Sequence, residues 1–141
     1  MKIGAPKESA RGEARVALTP ESAKHLQKLG HECLIETGAG LAAGFNDDTY
    51  RDAGVTVIES ADALWRDAEV VIKVREPSDE EAKRLRKGQT LIAFFWPAQN
   101  EALLETCKAQ GATVIAMDMV PRISRAQKMD ALSSMANIAG Y

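Results

Sequence analysis

The chain has 141 residues, of which 45% are hydrophobic and 27% charged, a composition typical of one globular domain and unlike a disordered segment or a disulfide scaffold. Its 18 basic and 20 acidic residues leave a net charge of -2, which gives no electrostatic attraction to nucleic acid or to acidic lipid. We therefore expect one soluble domain over residues 1–141 with no nucleic-acid partner.

Six short runs rich in aliphatic and β-branched residues predict strands, and amphipathic segments predict helices between nearly all of them. Two of these runs, around residues 70–72 and 91–95, are continuously apolar, as in parallel strands that are covered by helices on both faces. The pattern predicts an α/β fold: an open, doubly wound, mostly parallel sheet, Rossmann-like or flavodoxin-like. The predicted strands are Lys2–Ala5, Glu32–Ile35, Val55–Ile58, Glu69–Val74, Thr90–Phe95 and Thr113–Met117.

Helix boundaries are marked by short local signals. Thr19-Pro20 places an N-cap before a proline at the first helical position, and Ser78-Asp79-Glu80-Glu81 is typical of a capping box. Gly30 and Gly111 stand where helices are expected to end. These signals predict helices that begin near residues 20 and 79 and others that end before the two glycines.

Neither a membrane span nor an export signal is predicted. The start of the chain, Met1–Pro6, lacks a charged segment followed by a long apolar one. The longest apolar stretch, Leu91–Pro97, is far shorter than the roughly 20 residues that cross a bilayer. We expect no direct membrane insertion, so that any link to a membrane comes through a partner.

The cysteines and histidines predict no metal site and no catalytic group. Cys33 lies in a strand-like stretch and Cys107 in a helix-like one, which favours buried thiols over a disulfide. His25 lies in a helix-like segment, and His31 follows a helix end, where an imidazole can interact with the last carbonyls. The two tryptophans, Trp65 and Trp96, are expected in the core or at an interface.

A glycine-rich loop, Gly38–Gly44, follows a predicted strand, and Glu59 lies about twenty residues further on, as in a dinucleotide-binding fingerprint. That fingerprint requires its glycines to open directly into a helix that holds the pyrophosphate. Here Phe45-Asn46-Asp47-Asp48 intervenes, and its acidic residues repel phosphate. We interpret the loop as a tight turn, so the domain has no dinucleotide fingerprint of its own.

After the last predicted strand the chain runs through a polar loop, Pro121–Lys128, and then through Met129–Tyr141, which is helical in composition. Ligand sites of open α/β sheets lie beyond the carboxyl ends of the strands, and this loop stands at such an end. Residue type alone leaves two interpretations of the loop, a solvated basic connector or a ligand site. The final helix shows no stop signal, and we expect it to lead into a following domain.

The segments Pro121–Gln127 and Asp130–Tyr141 resemble the loop region of the NAD(H)-binding subunit of proton-translocating transhydrogenases. The resemblance covers essentially the whole chain, and alanine dehydrogenases share its first three blocks. Those blocks are Gly4-Ala5-Pro6-Lys7-Glu8, Arg15-Val16-Ala17-Leu18-Thr19-Pro20 and Glu36-Thr37-Gly38-Ala39-Gly40; Phe95-Trp96-Pro97-Ala98-Gln99-Asn100 belongs to the transhydrogenase resemblance alone.

The resemblance implies that Arg122, Gln127 and Asp130 are catalytic and that they bind NAD(H) together with Ser133. It also implies that a downstream Rossmann domain holds the NAD(H) phosphates, that a separate domain carries NADP(H), and that a membrane domain moves the proton. The NAD(H)-binding unit would be a homodimer on the cytoplasmic side of the inner membrane, attached through its partners. This piece alone would be inactive.

The residue types of the loop fit direct hydride transfer. A hydride that passes between two nicotinamide rings leaves no proton to donate or abstract, so the site needs positioning groups and not an acid or a base. An Arg or a Ser can fix the rotation of a carboxamide, and a Gln can bond the opposing nucleotide. Asp130 is then expected to orient Arg122 or a ribose hydroxyl.

Two alternatives stay open. An alanine-dehydrogenase-like oxidoreductase would use cations for a keto-acid carboxylate, which Arg15, Lys73 and Arg75 could supply. Trp96 stands where alanine dehydrogenases place a histidine, and Arg75 where they carry a lysine, so both residues weigh against that activity. Arg15 could equally pack the turn that leads to Pro20. The other alternative is a non-catalytic assembly domain.

Overall fold

A computed structural model describes residues 1–8, 12–95 and 100–117 of the chain. These residues form one sheet of six strands in the order β3-β2-β1-β4-β5-β6, with every pairing parallel. The predicted doubly wound α/β fold is confirmed, with the strand order of the Rossmann fold. The strands are β1 Lys2–Ala5, β2 Glu32–Glu36, β3 Thr56–Ile58, β4 Val70–Ile72, β5 Thr90–Ala93 and β6 Thr113–Ala116, and the helices are α1 Pro20–Lys28, α2 Asp47–Asp52, α3 Ala61–Asp67, α4 Asp79–Arg84 and α5 Glu101–Ala109.

Helices cover both faces of the sheet, as its apolar strands predict. On one face, α1 and α2 contribute Leu26 and Tyr50 to a cluster with strand residues such as Ile35. On the other face, Leu64 of α3 and Leu103 of α5 pack in a second cluster with the alternate strand residues. Trp65 belongs to this second cluster and is 1% exposed, and both cysteines are buried.

The predicted capping residues and helix-ending glycines lie at the ends of the helices in the structure. The hydroxyl of Thr19 accepts from the backbone N–H of Ser22, and Ser78 and Glu81 form a reciprocal capping box. Gly30 and Gly111 follow α1 and α5 with φ of +91° and +78°, which an L side chain rarely adopts. The predicted helix starts and stops are therefore confirmed to within a residue or two.

The strand β4 is shorter than predicted. It ends at Ile72, although the strand predicted from the sequence continues to Val74. The backbone N–H groups of Val74 and Arg75 donate to the carboxylate of Glu8 and not to a neighbouring strand. The side chain of Glu8, which follows β1, thus accepts the hydrogen bonds that a neighbouring strand would otherwise accept. Hydrophobic periodicity cannot predict such a contact between distant segments.

Close approach of α3 to the sheet depends on Gly4. A Cβ at this position would lie 2.8 Å from the Cβ of Ala68 and 3.3 Å from Cδ1 of Leu64. Since both neighbours are fully buried, they cannot move into solvent to make room. Glycine is required here by packing between the helix and the centre of the sheet.

We predict that Gly4→Ala lowers the free energy of unfolding by about 1 to 3 kcal/mol, because the added methyl group overpacks the contact with Ala68. Urea denaturation followed by circular dichroism measures the loss. In an Ala68→Gly background the same substitution should cost less, since the clashing methyl group is gone. Equal costs in both backgrounds would show that this contact does not limit the packing.

Candidate functional site

The candidate site lies where the order of the strands reverses. From β1 the chain proceeds to β2 and β3 on one side, and β4, β5 and β6 lie on the other. In open α/β sheets this switch point leaves a crevice beyond the carboxyl ends of the two central strands. Glu8 follows β1 and Lys73 follows β4, so both are delivered to this crevice.

Lys73 forms a buried charge cluster with Glu8 and Glu81. Its Nζ lies 3.3 Å from Oε1 of Glu8 and 3.4 Å from Oε2 of Glu81. The side chains are 1%, 2% and 6% exposed, so each charge depends on its partners for solvation. The cluster joins three segments: the exit of β1, the exit of β4 and the first turn of α4.

The carboxylate of Glu8 is buried and accepts three hydrogen bonds. Burial raises the pKa of the Glu8 carboxyl, and the Lys73 ammonium and the backbone N–H groups of Val74 and Arg75 oppose that rise. Each of its two oxygens accepts from at least one donor. A proton on either oxygen would face one of these donors, so the ionised form satisfies the surroundings best.

A second ion cluster, which we call the Glu13 clamp, consists of Glu13, Arg15 and Arg75 and joins the segments after β1 and β4. Arg15 donates to both carboxylate oxygens of Glu13, from Nε at 2.7 Å and from Nη2 at 2.6 Å. Arg75, from the segment after β4, donates from Nε to Oε1 of Glu13 at 3.0 Å. The pKa of Glu13 is lowered to about 2, chiefly by the hydrogen bonds from Arg15.

A cleft of about 150 Å³ opens beside the Glu13 clamp. Lys7, Glu13 and Arg15 line it on the β1 side, and Gly38 and Leu41 line it on the side of the glycine-rich loop. Leu41 is 62% exposed. The cleft therefore joins a polar wall at the switch point to an apolar rim from the loop after β2.

The glycine-rich loop is a compact turn whose backbone donors are used internally. It forms a short 3-10 helix over Leu41–Ala43 and ends at Gly44 with φ of +92°. Six of the eight backbone N–H groups in residues 38–45 donate to acceptors within the protein: those of Gly38, Ala39, Leu41, Ala43, Gly44 and Phe45. Few donors are left to cradle a phosphate.

Asp47 also makes this loop unsuitable for an anion. Its carboxylate accepts from the backbone N–H of Gly38 and from the hydroxyl of Thr37. The helix that follows is α2, which begins only after an Asn46 cap. A Cβ at Gly40 would lie 2.6 Å from the ring of Tyr50, so this glycine serves packing. The interpretation of the loop as a structural turn agrees with this geometry.

The predicted site residues fall into two groups. Arg122, Gln127, Asp130 and Ser133 lie outside the described residues, as does Trp96. By contrast, the candidate keto-acid ligands Arg15, Lys73 and Arg75 meet at the switch point, where each already has a carboxylate partner.

The two histidines lie apart from the cleft. His25 is exposed on α1. His31 has a buried Nδ1 without a hydrogen-bond partner, and it is its backbone N–H that donates to a carbonyl of α1. Neither imidazole belongs to the ion clusters at the switch point.

Sequence reasoning missed the three carboxylates Glu8, Glu13 and Glu81. One signal could have found the first cluster: Lys73 interrupts the apolar run Val70-Val71-Ile72-Lys73-Val74, and a cation in a buried strand requires a buried anion. Nothing in the sequence says which of the 20 acidic residues supplies it. Pairing across 65 positions is set by the fold alone.

Among the described residues, no helix is long and apolar enough to cross a bilayer. Nor do these residues contain a group of three or more histidine, cysteine, aspartate or glutamate side chains placed to hold a metal ion.

Comparison with known proteins places this arrangement in a family. The family described as alanine dehydrogenase/PNT, N-terminal domain, matches residues 4–139. The chain belongs to this family.

The similar proteins include transhydrogenase alpha subunits and alanine dehydrogenases. The NAD(P) transhydrogenase subunit alpha of Cereibacter sphaeroides is 72% identical over 141 residues, which are 100% of this chain and 27% of that subunit. The alanine dehydrogenase of Bacillus subtilis (strain 168) is 41% identical over 140 residues, 99% of this chain and 36% of that enzyme. The crystal structure of transhydrogenase from Sinorhizobium meliloti has a TM-score of 0.84 at 42% identity, covering 100% of this chain and 42% of that one. The chain spans well under half the length of each.

The buried charge cluster of this family member gives a stability prediction. Lys73→Met should lower the free energy of unfolding by about 3 to 5 kcal/mol at neutral pH, because it leaves two buried carboxylates without their cation. Denaturant titration of the chain measures the loss. Lys83→Met is the matched control, since Lys83 is exposed on α4 and should change stability by less than about 0.5 kcal/mol.

The same variant should become more stable as the pH is lowered from neutrality. Without the ammonium, the already raised pKa of Glu8 rises further, so the folded protein holds this proton more tightly than the unfolded chain. This stabilising contribution of the Glu8 proton is complete at pH values below 4.5, the ordinary pKa of the carboxyl group. It is lost as the pH rises through the pKa of Glu8 in the folded protein. A stability deficit independent of pH would contradict the assignment of these charges.

Proposed function

We propose that the chain is the N-terminal part of the alpha subunit of a proton-translocating NAD(P) transhydrogenase. In this role it supplies one wall of the NAD(H) nicotinamide site for hydride transfer between NAD(H) and NADP(H). The observation that carries the proposal is the 72% identity to a transhydrogenase alpha subunit over the whole chain, against 41% to an alanine dehydrogenase. The isolated piece is inactive on this proposal.

The geometry of the sheet supports a divided site. A Rossmann domain that binds a dinucleotide has its glycine-rich turn directly after β1, at the switch point. Here β1 is followed by Pro6-Lys7-Glu8, and the glycine-rich loop follows β2 with six of the eight backbone N–H groups of residues 38–45 already bonded. The NAD(H) phosphates are therefore assigned to a following Rossmann domain, and residues 1–141 form the domain that faces it.

On this proposal the loop from Pro121 to Asp130 performs the positioning. Arg122 and Ser133 fix the carboxamide of the nicotinamide, Gln127 bonds the opposing nucleotide, and Asp130 orients Arg122 or a ribose hydroxyl. The nicotinamide rings supply the hydride chemistry, and the task of these side chains is to hold two rings at reacting distance. No side chain has to give or take a proton.

The remaining parts of the enzyme are assigned to partners. NADP(H) is carried by a separate domain, and a membrane domain of the complex moves the proton. The NAD(H)-binding unit is a homodimer that lies at the cytoplasmic surface of the inner membrane through these partners. The short share of each relative that this chain covers leaves room for such further domains.

A second candidate is an alanine-dehydrogenase-like oxidoreductase. The meeting of Arg15, Lys73 and Arg75 at one crevice favours it, since a keto acid needs cations. Yet Lys73 is 1% exposed between two carboxylates, and both arginines share Glu13. Trp96 in place of a histidine also leaves no proton shuttle there. A non-catalytic assembly domain is the outcome if neither activity is found.

We predict that NADH binds to a longer version of the chain, extended by about 150 residues to include a following domain, and not to residues 1–141 alone. The reason is that the phosphate contacts, which the loop at 38–44 does not offer, dominate the affinity for a dinucleotide. Calorimetric titration of both versions under the same conditions checks this. Tight binding to the short chain would place the phosphate cradle within it and overturn the divided site.

In the assembled enzyme, Arg122→Ala and Gln127→Ala should each slow hydride transfer by about 100-fold or more, because misplacement of a ring by about 1 Å costs rate on that scale. The measurement is single-turnover reduction of NAD by NADPH, which isolates the chemical step. Arg125→Ala, in the same loop, is the matched control and should leave the rate nearly unchanged. Unaltered rates in the first two variants would remove them from the site.

The two enzymatic candidates separate in a direct assay. Reduction of NAD by NADPH in the presence of the partner domains supports the transhydrogenase. Oxidation of NADH that depends on pyruvate and ammonia, by the extended chain alone, supports the alanine-dehydrogenase-like enzyme. Activity in only one of the two assays therefore decides between the candidates.

A further inference from the structure

Among the described residues of the Glu13 clamp, Arg15 alone both lines the cleft and has guanidinium N–H groups left to donate. Two of its five guanidinium N–H groups donate to Glu13, and among the described residues no acceptor bonds the other three. Its side chain is 37% exposed and forms part of the cleft wall. A ligand in the cleft would therefore meet an oriented set of charged N–H donors.

The orientation of Arg15 is set by a chain of contacts that begins in the core. Buried Glu8 holds the backbone N–H of Arg75 at 3.2 Å. Arg75 in turn donates to Glu13, whose side chain is 3% exposed, and Glu13 accepts two bonds from Arg15. Planar guanidinium and carboxylate groups that meet in this two-bond geometry have little rotational freedom. Arg15 is thus held before any ligand arrives.

The charges around the cleft select the kind of ligand. Two guanidiniums and one carboxylate give the Glu13 clamp one net positive charge, and one ammonium with two carboxylates gives the buried charge cluster one net negative charge. Lys7, on the cleft wall, lies beside Glu36, whose carboxylate accepts from the Lys7 backbone N–H. The crevice is balanced without a ligand. A carboxylate would leave an excess negative charge, whereas a neutral carbonyl oxygen would not.

Building on the proposed function, we propose that Arg15 donates to the carboxamide oxygen of a nicotinamide ring and that Glu13 is the residue that positions it. The ring belongs either to NAD(H) or to NADP(H), since the two carry the same carboxamide. Arg15 thus adds a binding residue from the β1 side of the crevice to the proposed residues Arg122, Gln127, Asp130 and Ser133.

Thionicotinamide analogues test this contact, because sulfur is a much weaker hydrogen-bond acceptor than the carbonyl oxygen it replaces. The assembled, membrane-bound enzyme is assayed for hydride transfer from NADPH to NAD or to thionicotinamide-NAD, and from NADH to NADP or to thionicotinamide-NADP. In each pair the ratio of kcat/KM for the oxygen and sulfur forms is taken. Arg15→Met should lower one of these two ratios by about 10-fold, as expected for loss of a charged hydrogen bond.

The substrate pair whose kcat/KM ratio falls, either the NAD pair or the NADP pair, identifies the nucleotide whose carboxamide Arg15 contacts. Glu13→Gln should lower the same ratio in part, because an amide in place of one carboxylate oxygen faces a guanidinium donor with a donor of its own. Arg51→Met is the matched control: Arg51 is exposed on α2 and paired with Asp48, away from the cleft, and should change neither ratio. Since each comparison is a ratio of ratios, a general loss of stability or activity cancels.

Three results would overturn the inference. If the unchanged enzyme transfers no hydride between NADPH and NAD, both the proposed function and this contact are wrong. If it does, but Arg15→Met leaves both ratios unaltered, the contact alone is wrong. If pyruvate competes saturably with NAD and Arg15→Met abolishes that competition, Arg15 binds a carboxylate and not a carboxamide.

Discussion

The ion pair between Lys73 and Glu8 joins the segments that follow the two central strands, β1 and β4, at the point where the strand order reverses. Each residue leaves the carboxyl end of its strand, and the two have almost no contact with solvent. A buried pair of this kind contributes little net stability over an apolar pair, but it strongly penalises any arrangement in which one partner is missing. It therefore fixes the relative position of the segments after β1 and β4 more than it adds to the free energy of folding.

Both ion clusters of the crevice are connected to this pair through hydrogen bonds and ion pairs. Glu8 also accepts from the backbone of Val74 and Arg75, which ends β4 and turns the chain toward α4. Arg75 then reaches the Glu13 clamp, and Glu81 links the pair to the capping box of α4. Each charge of the two clusters has a partner within the protein, so these side chains are held in place before any ligand binds. Such placement suits the positioning role that we propose for this wall of the site.

The glycine-rich loop does not form the phosphate cradle that the glycine-rich turn of a dinucleotide-binding Rossmann sheet provides. The loop stands one strand away from the switch point. Most of its backbone N–H groups donate to carbonyls of the turn itself, and that of Gly38 donates to Asp47. What it presents to the cleft is the apolar side chain of Leu41. The loop thus contributes shape and an apolar surface, and the polar contacts come from the β1 and β4 segments.

Local chemistry in the sequence was enough to determine the class of fold and most of the element boundaries. Continuously apolar runs gave the parallel strands, and Thr19-Pro20, Ser78–Glu81, Gly30 and Gly111 gave the helix ends, because hydrophobic periodicity and capping act over a few residues. The same local reasoning identified the glycine-rich loop as a turn, since Phe45 and Asn46 separate its last glycine from the helix that follows. Resemblance supplied the family.

Only the tertiary structure decided the strand order and the composition of the crevice. Lys73 was visible in the sequence as a cation among apolar residues, but Glu8, Glu13 and Glu81 were three among many surface-type carboxylates until the sheet brought them to one edge. Likewise, Arg15 and Arg75 were candidate ligands by residue type, and the fold showed that they share one carboxylate 62 positions away from Arg75. A charge finds its partner through the path of the whole chain, and no local pattern records that path.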